Sequence, residues 1–202
     1  MRGIDVSHYQ GDIDWEAVVA GGKQFAYIKA TDGARDVDPR FTVNWEHAKT
    51  AGLAFGPYHY WHAAVPAQEQ FSSIQQALQG VGYLPHSDLP VALDLEDPSV
   101  NSSSSTRQNV GTLLEMLGKW SGYRPVIYGS PSWLETWLGD GYGGHPLWIA
   151  EYGVQAPRLP VGWSRYAFWQ YSSSETASGI SGLVDGDVLH EALRLADLRV
   201  AV

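Results

Sequence analysis

Cysteine is absent from this chain of 202 residues, and positive charge is scarce. Without cysteine, a disulfide framework, a thiolate nucleophile and a Cys-ligated zinc site are all excluded. The 13 Lys and Arg residues stand against 22 Asp and Glu residues, which gives a formal net charge of −9. This balance argues against nucleic acid as a partner, because nucleic-acid-binding proteins need a basic surface, and it argues equally against docking on anionic membranes.

Long hydrophobic runs and several catalytic motifs are also missing. The first residues lack the apolar core of a secretory signal, and the uncharged segment 50–68 is interrupted by Gly, Pro and His, so no membrane span is predicted. No Gly-x-Ser-x-Gly elbow, phosphate-binding glycine loop or His-Glu-x-x-His motif occurs. A serine hydrolase, a P-loop nucleotide site and a zinc enzyme are therefore not supported. Of the seven scattered His residues, only His59 is expected near a functional site.

Aromatic side chains, in contrast, are abundant: the chain has 9 Trp, 11 Tyr and 5 Phe, within a hydrophobic content of 44%. That content is typical of a globular protein with a full core. Most of the aromatic residues are expected in the core, but Trp and Tyr are numerous enough to line a cleft as well. Their flat faces and polar tips suit the binding of sugar rings.

Short β-rich runs alternate with helical stretches, which predicts an α/β fold with a parallel sheet. The segments 156–164 and 172–182 are rich in Pro, Gly and Ser and show no helical period, and 101–105 is expected to be a flexible loop. The pattern predicts one domain over residues 1–202, an irregular TIM-like (β/α) barrel with eight strands and fewer than eight helices. The predicted strands are 3–6, 25–30, 53–60, 90–96, 126–128, 147–150, 166–171 and 183–184, and the predicted helices are 14–20, 41–50, 67–79, 106–120, 132–138 and 189–198.

Polar side chains stand where the predicted strands end, which is where active sites of such barrels are built. The sharpest signal is Asp94-Leu95-Glu96, because alternation along a strand projects Asp94 and Glu96 to one face. Two carboxyl groups that close do not both ionise easily, and a protonated acid beside a carboxylate is what cleavage of a glycosidic bond requires. The candidate residues at strand ends are Asp5, Lys29, Tyr60, Asp94, Glu96, Tyr128, Gln170 and Asp185.

Two other interpretations of the carboxylates remain open from the residues alone. Asp94 and Glu96 could simply form a solvated acidic strand end. Together with Asp5 and Asp185 they could instead bind Mg²⁺ or another hard cation through oxygen atoms. Our prediction is that the chain uses no metal and no other cofactor.

An ordered set of motifs resembles glycoside hydrolase family 25, the N-acetylmuramidase lysozymes of bacteria, some fungi and many bacteriophages. The resemblance covers residues 3 to about 189. It departs at Asp32, where the family often has Glu. The matching segments are GIDVSHYQG (3–11), FAYIKAT (25–31), DPRF (38–41), GPYHY (56–60), LDLE (93–96), LWIAEY (147–152), WQY (169–171) and VD (184–185).

The resemblance implies cleavage of the β-1,4 bond between N-acetylmuramic acid and N-acetylglucosamine in peptidoglycan, with retention. It makes Glu96 the general acid, and it makes Asp94 either the nucleophile or the group that orients the 2-acetamido group of the substrate. Asp5 and Asp185 would complete the catalytic set by tuning pKa values. The residues that would contact sugar are Lys29, Tyr60, Tyr128 and Gln170.

The expected partner is the glycan strand of peptidoglycan, and the protein is expected to be a monomer that acts on the cell wall. With no signal peptide or wall-binding module recognised in the chain, we expect release through a host membrane, as for a phage endolysin, or export by another route. The alternatives are an inactive barrel that binds glycan and a hydrolase of another N-acetylated polymer such as chitin.

Overall fold

In the computed structural model, which describes residues 1–202, one sheet of nine strands closes by pairing β1 with β2. Eight of the strands form the barrel, in the order β1-β9-β8-β7-β6-β5-β4-β2, and the short β3 pairs only with the end of β2. The strands are β1 (Arg2–Val6), β2 (Phe25–Asp32), β3 (Asp36–Val37), β4 (Ala54–Tyr60), β5 (Ala92–Asp94), β6 (Val126–Gly129), β7 (Leu147–Ala150), β8 (Phe168–Glu175) and β9 (Val184–Leu189).

Five helices accompany the barrel, so the predicted eight-stranded α/β barrel with fewer than eight helices is confirmed. No helix follows β7 or β8, in agreement with the missing helical period there. None of the helices is both long and apolar enough to cross a bilayer. The helices are α1 (Trp15–Ala20), α2 (Phe41–Thr50), α3 (Ala67–Gly80), α4 (Ser103–Ser121) and α5 (Pro131–Trp133, continued by a π-helical turn over Leu134–Leu138).

Side-chain caps explain where two of these helices begin. The Asp14 carboxylate accepts a hydrogen bond from the Ala17 N–H at 3.0 Å, which satisfies a free donor of the first turn of α1. Ser102 caps α4 in the same way, through the Ser105 N–H at 3.4 Å. The expectation of a flexible loop over 101–105 was therefore wrong, because serine is both a common loop residue and a good N-cap.

The last strand runs in the opposite direction to the other barrel strands, which corrects the expected parallel sheet. β9 pairs antiparallel with both β8 and β1. The connection 176–183 is too short for a crossover, since a parallel return needs about a dozen or more residues. The predicted helix over 189–198 was also wrong: β9 extends to Leu189, and only a 3₁₀ turn over Leu195–Leu198 follows.

The barrel has two hydrophobic layers. The larger one lies between the strands and helices and contains residues such as Leu93, Leu113 and Ile149. The smaller one fills the barrel interior with aromatic rings, where Tyr27 stacks on Trp148 with ring centroids 4.7 Å apart. Because these rings plug the barrel below the carboxyl ends of the parallel strands, a small polar cavity is left above them.

Candidate active site

The cavity at the carboxyl ends of the parallel strands has a volume of about 90 Å³ and collects residues from seven strands and the segment after β5. Six of the eight candidates from the sequence lie around it. Asp185 reaches this end only because β9 is antiparallel: it lies at the start of its strand, directly opposite Asp5 on β1. The lining residues are Asp5, Tyr58, Asp94, Glu96, Tyr128, Trp148, Gln170 and Asp185.

Asp94 and Glu96 face the same cavity, as strand alternation predicts, although β5 ends at Asp94 and is shorter than expected. Leu93 and Leu95 are fully buried on the other side. Asp94 is buried, and its Oδ1 has no hydrogen-bond partner, whereas Glu96 is exposed at the cavity mouth. One side chain thus offers a free buried acceptor, and the other is in reach of solvent and substrate.

The electrostatics of this pair favour retention of a proton. Burial, and then the neighbouring Glu96, raise the pKa of Asp94 well above its usual value. Partial desolvation of its carboxyl group also raises the pKa of Glu96, although the nearby Lys29 ammonium opposes the shift. The pair therefore retains a proton to higher pH than two isolated carboxyl groups would, and a retained proton beside a carboxylate is what general acid catalysis at an acetal needs.

Gln170 connects two of the other cavity residues and the nearby Tyr152. Its Nε2 donates to Asp5 Oδ2 at 2.7 Å, and its Oε1 accepts from the Tyr128 hydroxyl at 2.9 Å and from the Tyr152 hydroxyl at 2.5 Å. Two hydroxyl donors on one side of the amide fix its orientation, so the amino group must face Asp5. Gln170 is thus a buried residue whose hydrogen bonds hold neighbouring side chains of the site in place.

A second acidic group lies on the β1–β9 side of the cavity. Asp5 and Asp185 are paired across the two strands, and Asp187 follows on the same face of β9, fully buried. Burial, followed by the charges of Asp187 and Asp185, raises the pKa of Asp5 well above its usual value. Burial also raises the pKa of Asp187 to about 7, against a hydrogen bond from the Trp148 indole N–H that lowers it.

Lys29 and Tyr60, both predicted to contact sugar, do not line this cavity but flank it. The Lys29 ammonium lies 5.0 Å from the centre of the Tyr60 ring and 2.7 Å from Asp32 Oδ2. Asp32 also accepts from His62 Nε2 at 2.6 Å. Although partial burial raises the pKa of Asp32, the hydrogen bonds from Lys29 and His62 lower it overall. These residues form a charged rim beside Asp94 and Glu96.

His59, the histidine expected near the site, lies on the opposite face of β4, so this expectation was wrong. Its two ring nitrogens contact Thr31 Oγ1 at 2.8 Å and Gln70 Oε1 at 2.9 Å, between the sheet and α3. Burial lowers the pKa of His59 to about 4, so the ring is neutral and structural. Successive residues of a strand point to opposite faces, and Tyr58 and Tyr60 take the inner one.

Several residues of the site were not predicted from the sequence: Tyr58, His62, Trp148, Tyr152 and Asp187. Alternation would have found two of them, because Tyr58 is two residues from Tyr60 and Asp187 is two from Asp185. His62 and Tyr152 lie in loops, where no period applies. Their positions depend on how the loops fold over the barrel.

The side chains do not have the geometry of the alternative metal site. No group of three or more His, Asp or Glu residues converges as a metal ion would need. A hard cation such as Mg²⁺ takes several oxygen ligands around one point. The four carboxylates share a cavity without sharing such a point.

Comparison with known proteins matches this architecture to glycoside hydrolases. The family model for Glycosyl hydrolases family 25 matches residues 4–180. The chain is 35% identical to lysozyme M1 of Streptomyces globisporus over 194 residues, which is 92% of this chain and 66% of that protein. It is 27% identical to an N,O-diacetylmuramidase of Chalaropsis sp over 205 residues, which is 93% of this chain and 95% of that protein.

A solved structure of a similar protein has the same fold. The crystal structure of a bacterial lysozyme from Streptomyces coelicolor superposes with a TM-score of 0.87 and 34% identity, covering 98% of this chain and 96% of the other. The match to the family model spans most of the chain, and it includes every strand that supplies the cavity except the last. The chain therefore belongs to the glycosyl hydrolases of family 25.

Proposed function

We propose that this chain is an N-acetylmuramidase that cleaves the β-1,4 bond between N-acetylmuramic acid and N-acetylglucosamine in peptidoglycan, with net retention. The observation that carries the proposal is the pair Asp94 and Glu96 facing one cavity in a member of this family. Residues 1–202 act as one catalytic domain on the glycan strands of the cell wall, and the protein works as a monomer. It reaches the wall by release through a host membrane or by another export route.

Glu96 is the general acid that protonates the leaving glycosidic oxygen. Its carboxyl group stands at the cavity mouth, and its raised pKa keeps it protonated to higher pH than an ordinary glutamate. After bond cleavage the same group, now ionised, takes a proton from the attacking water. No hydrogen bond from another side chain holds the Glu96 carboxyl group, so it is free to turn toward the substrate.

Asp94 stabilises the positive charge that develops at the sugar ring. Its unpartnered Oδ1 is buried in the cavity and can accept the N–H of a 2-acetamido group, or it can attack C1 directly. The two carboxyl groups leave one strand segment on the same side, which favours the orienting role over a displacement that needs acid and nucleophile on opposite sides of the sugar. Asp5 and Asp185 contribute negative charge around the same ring.

The first test is mass spectrometry of the products from purified peptidoglycan after borohydride reduction, which marks new reducing ends. New muramitol ends support the proposal. New glucosaminitol ends, or turnover of chitin oligomers but not of wall fragments, would assign the enzyme to another bond or polymer. An absence of new ends on several wall types would leave a glycan-binding barrel.

Two variants and two inhibitors test the proposed roles of Glu96 and Asp94. Glu96→Gln and Asp94→Asn are each expected to lower kcat at least about 100-fold, with little change in melting temperature for Glu96→Gln. A thiazoline analogue of the substrate should inhibit competitively if Asp94 orients the acetamido group. A 2-fluoro glycosyl fluoride should instead label Asp94 covalently if it is the nucleophile.

A further inference from the structure

Asp187 is a fully buried carboxyl group below the cavity to which the catalytic proposal gives no role. It lies on β9, and none of its side chain is exposed to solvent. The Trp148 indole N–H donates to its Oδ1 at 2.7 Å. Its Oδ2 is equally buried but receives no hydrogen bond from any donor group. A buried carboxylate oxygen without a donor is costly, so this atom needs a proton or a proton-bearing partner.

The partner is Asp5. The two carboxyl groups lie within hydrogen-bonding range of each other, on adjacent strands β1 and β9. Asp5 Oδ2 already accepts from Gln170 Nε2 at 2.7 Å. Two ionised carboxylates in contact would repel each other, whereas a single proton between them makes one a donor and the other an acceptor. Asp185 also lies within hydrogen-bonding range of Asp5, but it is only half-buried and can turn to water, whereas Asp187 Oδ2 is fully buried and has no other partner.

No cation compensates a double charge there. The ammonium of Lys23 is engaged with Glu175 at 2.8 Å and lowers the pKa of Asp187 only as a minor influence, after Asp185. The remaining neighbours are acidic or phenolic. The titratable and charged groups that influence Asp187 or Asp5 from the surrounding elements are Asp185, Lys23, Tyr27, Tyr58, Tyr128, Tyr152 and Tyr171.

We propose that Asp187 shares one proton with Asp5 and is a positioning residue for the catalytic cavity. The protonated dyad carries a single negative charge, and it holds Asp5 Oδ2 toward the Gln170 amino group. Gln170 in turn holds the hydroxyl groups of Tyr128 and Tyr152 in place. Loss of the shared proton puts two negative charges in contact, forces the carboxyl groups apart and misplaces Gln170. The raised pKa values of both aspartates agree with this arrangement.

The test compares Asp187→Asn with the wild-type protein, because an asparagine amide imitates a protonated carboxyl group: its oxygen can accept from Trp148 and its amino group can donate to Asp5. Melting temperatures are measured from pH 4 to pH 9. A carboxyl group with a raised pKa in the folded state destabilises the fold as pH increases through that range. The variant should therefore gain several degrees over wild type as the pH is raised. A difference that stays constant with pH would overturn the shared proton.

Two further measurements keep the proposal testable. Asp36→Asn, on the exposed strand β3, is the matched control and should leave the pH dependence of melting unchanged. If Asp187→Asn does not fold, NMR titration of the Asp94→Asn variant with carboxyl-labelled aspartate replaces it. The Asp5–Asp187 pair is expected to lose its two protons in separate steps, the second of them well above the ordinary aspartate range. Titration of every aspartate in the ordinary range would refute the proposal.

The kinetic part rests on the proposed hydrolase activity. Asp187→Asn should retain kcat/KM at acidic pH and make the alkaline limb, to which the Asp94–Glu96 pair also contributes, less steep, while Asp187→Leu should lower kcat at every pH. An unchanged alkaline limb in the asparagine variant would contradict a positioning role. Melting and NMR need no substrate, so a failure of the muramidase assignment would leave their outcome intact.

Discussion

Replacement of Gln170 by Leu tests how much the buried hydrogen-bond network contributes to the fold. Gln170 is only 2% exposed, and it makes one hydrogen bond to Asp5 and two to tyrosine hydroxyls. Tyr152 is 47% exposed and can turn to water, but Tyr128 is 7% exposed and cannot. The substitution therefore leaves two buried groups without their partner, the carboxyl of Asp5 and the hydroxyl of Tyr128.

The expected loss of stability follows from these two groups. A buried polar group left unsatisfied costs about 1–3 kcal/mol, and the extra apolar surface of Leu returns on the order of 1 kcal/mol. The net change is a decrease of about 1–5 kcal/mol in the free energy of unfolding. For a domain of this size, that corresponds to a melting temperature lower by roughly 2–20 °C.

Urea unfolding followed by tryptophan fluorescence measures this change, and wall lysis measures the accompanying loss of activity. The control is Gln76→Leu on the exposed face of α3, where the side chain makes no hydrogen bond, and it should change stability by about 0.5 kcal/mol or less. A change below about 1 kcal/mol for Gln170→Leu would refute the reasoning, because the hydrogen bonds would then be replaced by water at no cost.

Three further predictions concern activity. The pH profile of kcat/KM should be bell-shaped, since the coupled Asp94–Glu96 pair must hold one proton. The rate falls on the alkaline side as the pair loses this proton and on the acidic side as the pair gains a second one. A flat profile from pH 4 to about pH 9 would contradict the assignment. Activity after dialysis against EDTA should be unchanged, because the reaction is assigned to carboxyl groups; a loss that Mg²⁺ restores would revive the metal alternative. The net charge of −9 repels anionic wall polymers, and salt screens this repulsion, so lysis of such walls should become faster as salt increases from very low levels. A steady decline of the lysis rate with salt would contradict that expectation.

Much of the barrel could be predicted from local sequence patterns. The helix over Phe41–Thr50 and the strand over Leu147–Ala150 have the bounds expected from the sequence. Asp14 is a residue type that commonly caps helices, and its carboxylate accepts a hydrogen bond from the Ala17 N–H at the start of α1. These features depend on contacts between residues a few positions apart, which is why the chain alone specifies them.

The pair that we propose as catalytic was also accessible from the sequence, because alternation along a strand relates Asp94 to Glu96 without reference to any other element. For His59, alternation along the strand is not sufficient, because it does not determine which face of the strand points into the barrel. The sequence places it at a strand end, but the inner face of β4 belongs to Tyr58 and Tyr60, and His59 instead contacts Gln70 of α3.

Only the tertiary structure decided the direction of β9. That direction places Asp185 beside Asp5 and brings Asp187 beneath the cavity, out of contact with water. The hydrogen bonds of Gln170 also join residues far apart in the sequence, reaching from β8 to Tyr128, 42 residues away, and to Asp5, 165 residues away. Local propensity carries no information about contacts between residues so far apart in sequence, since closing the barrel is what brings them together. The sequence by itself determined the elements and the acid pair, and barrel closure determined the pKa values and the hydrogen bonds around them.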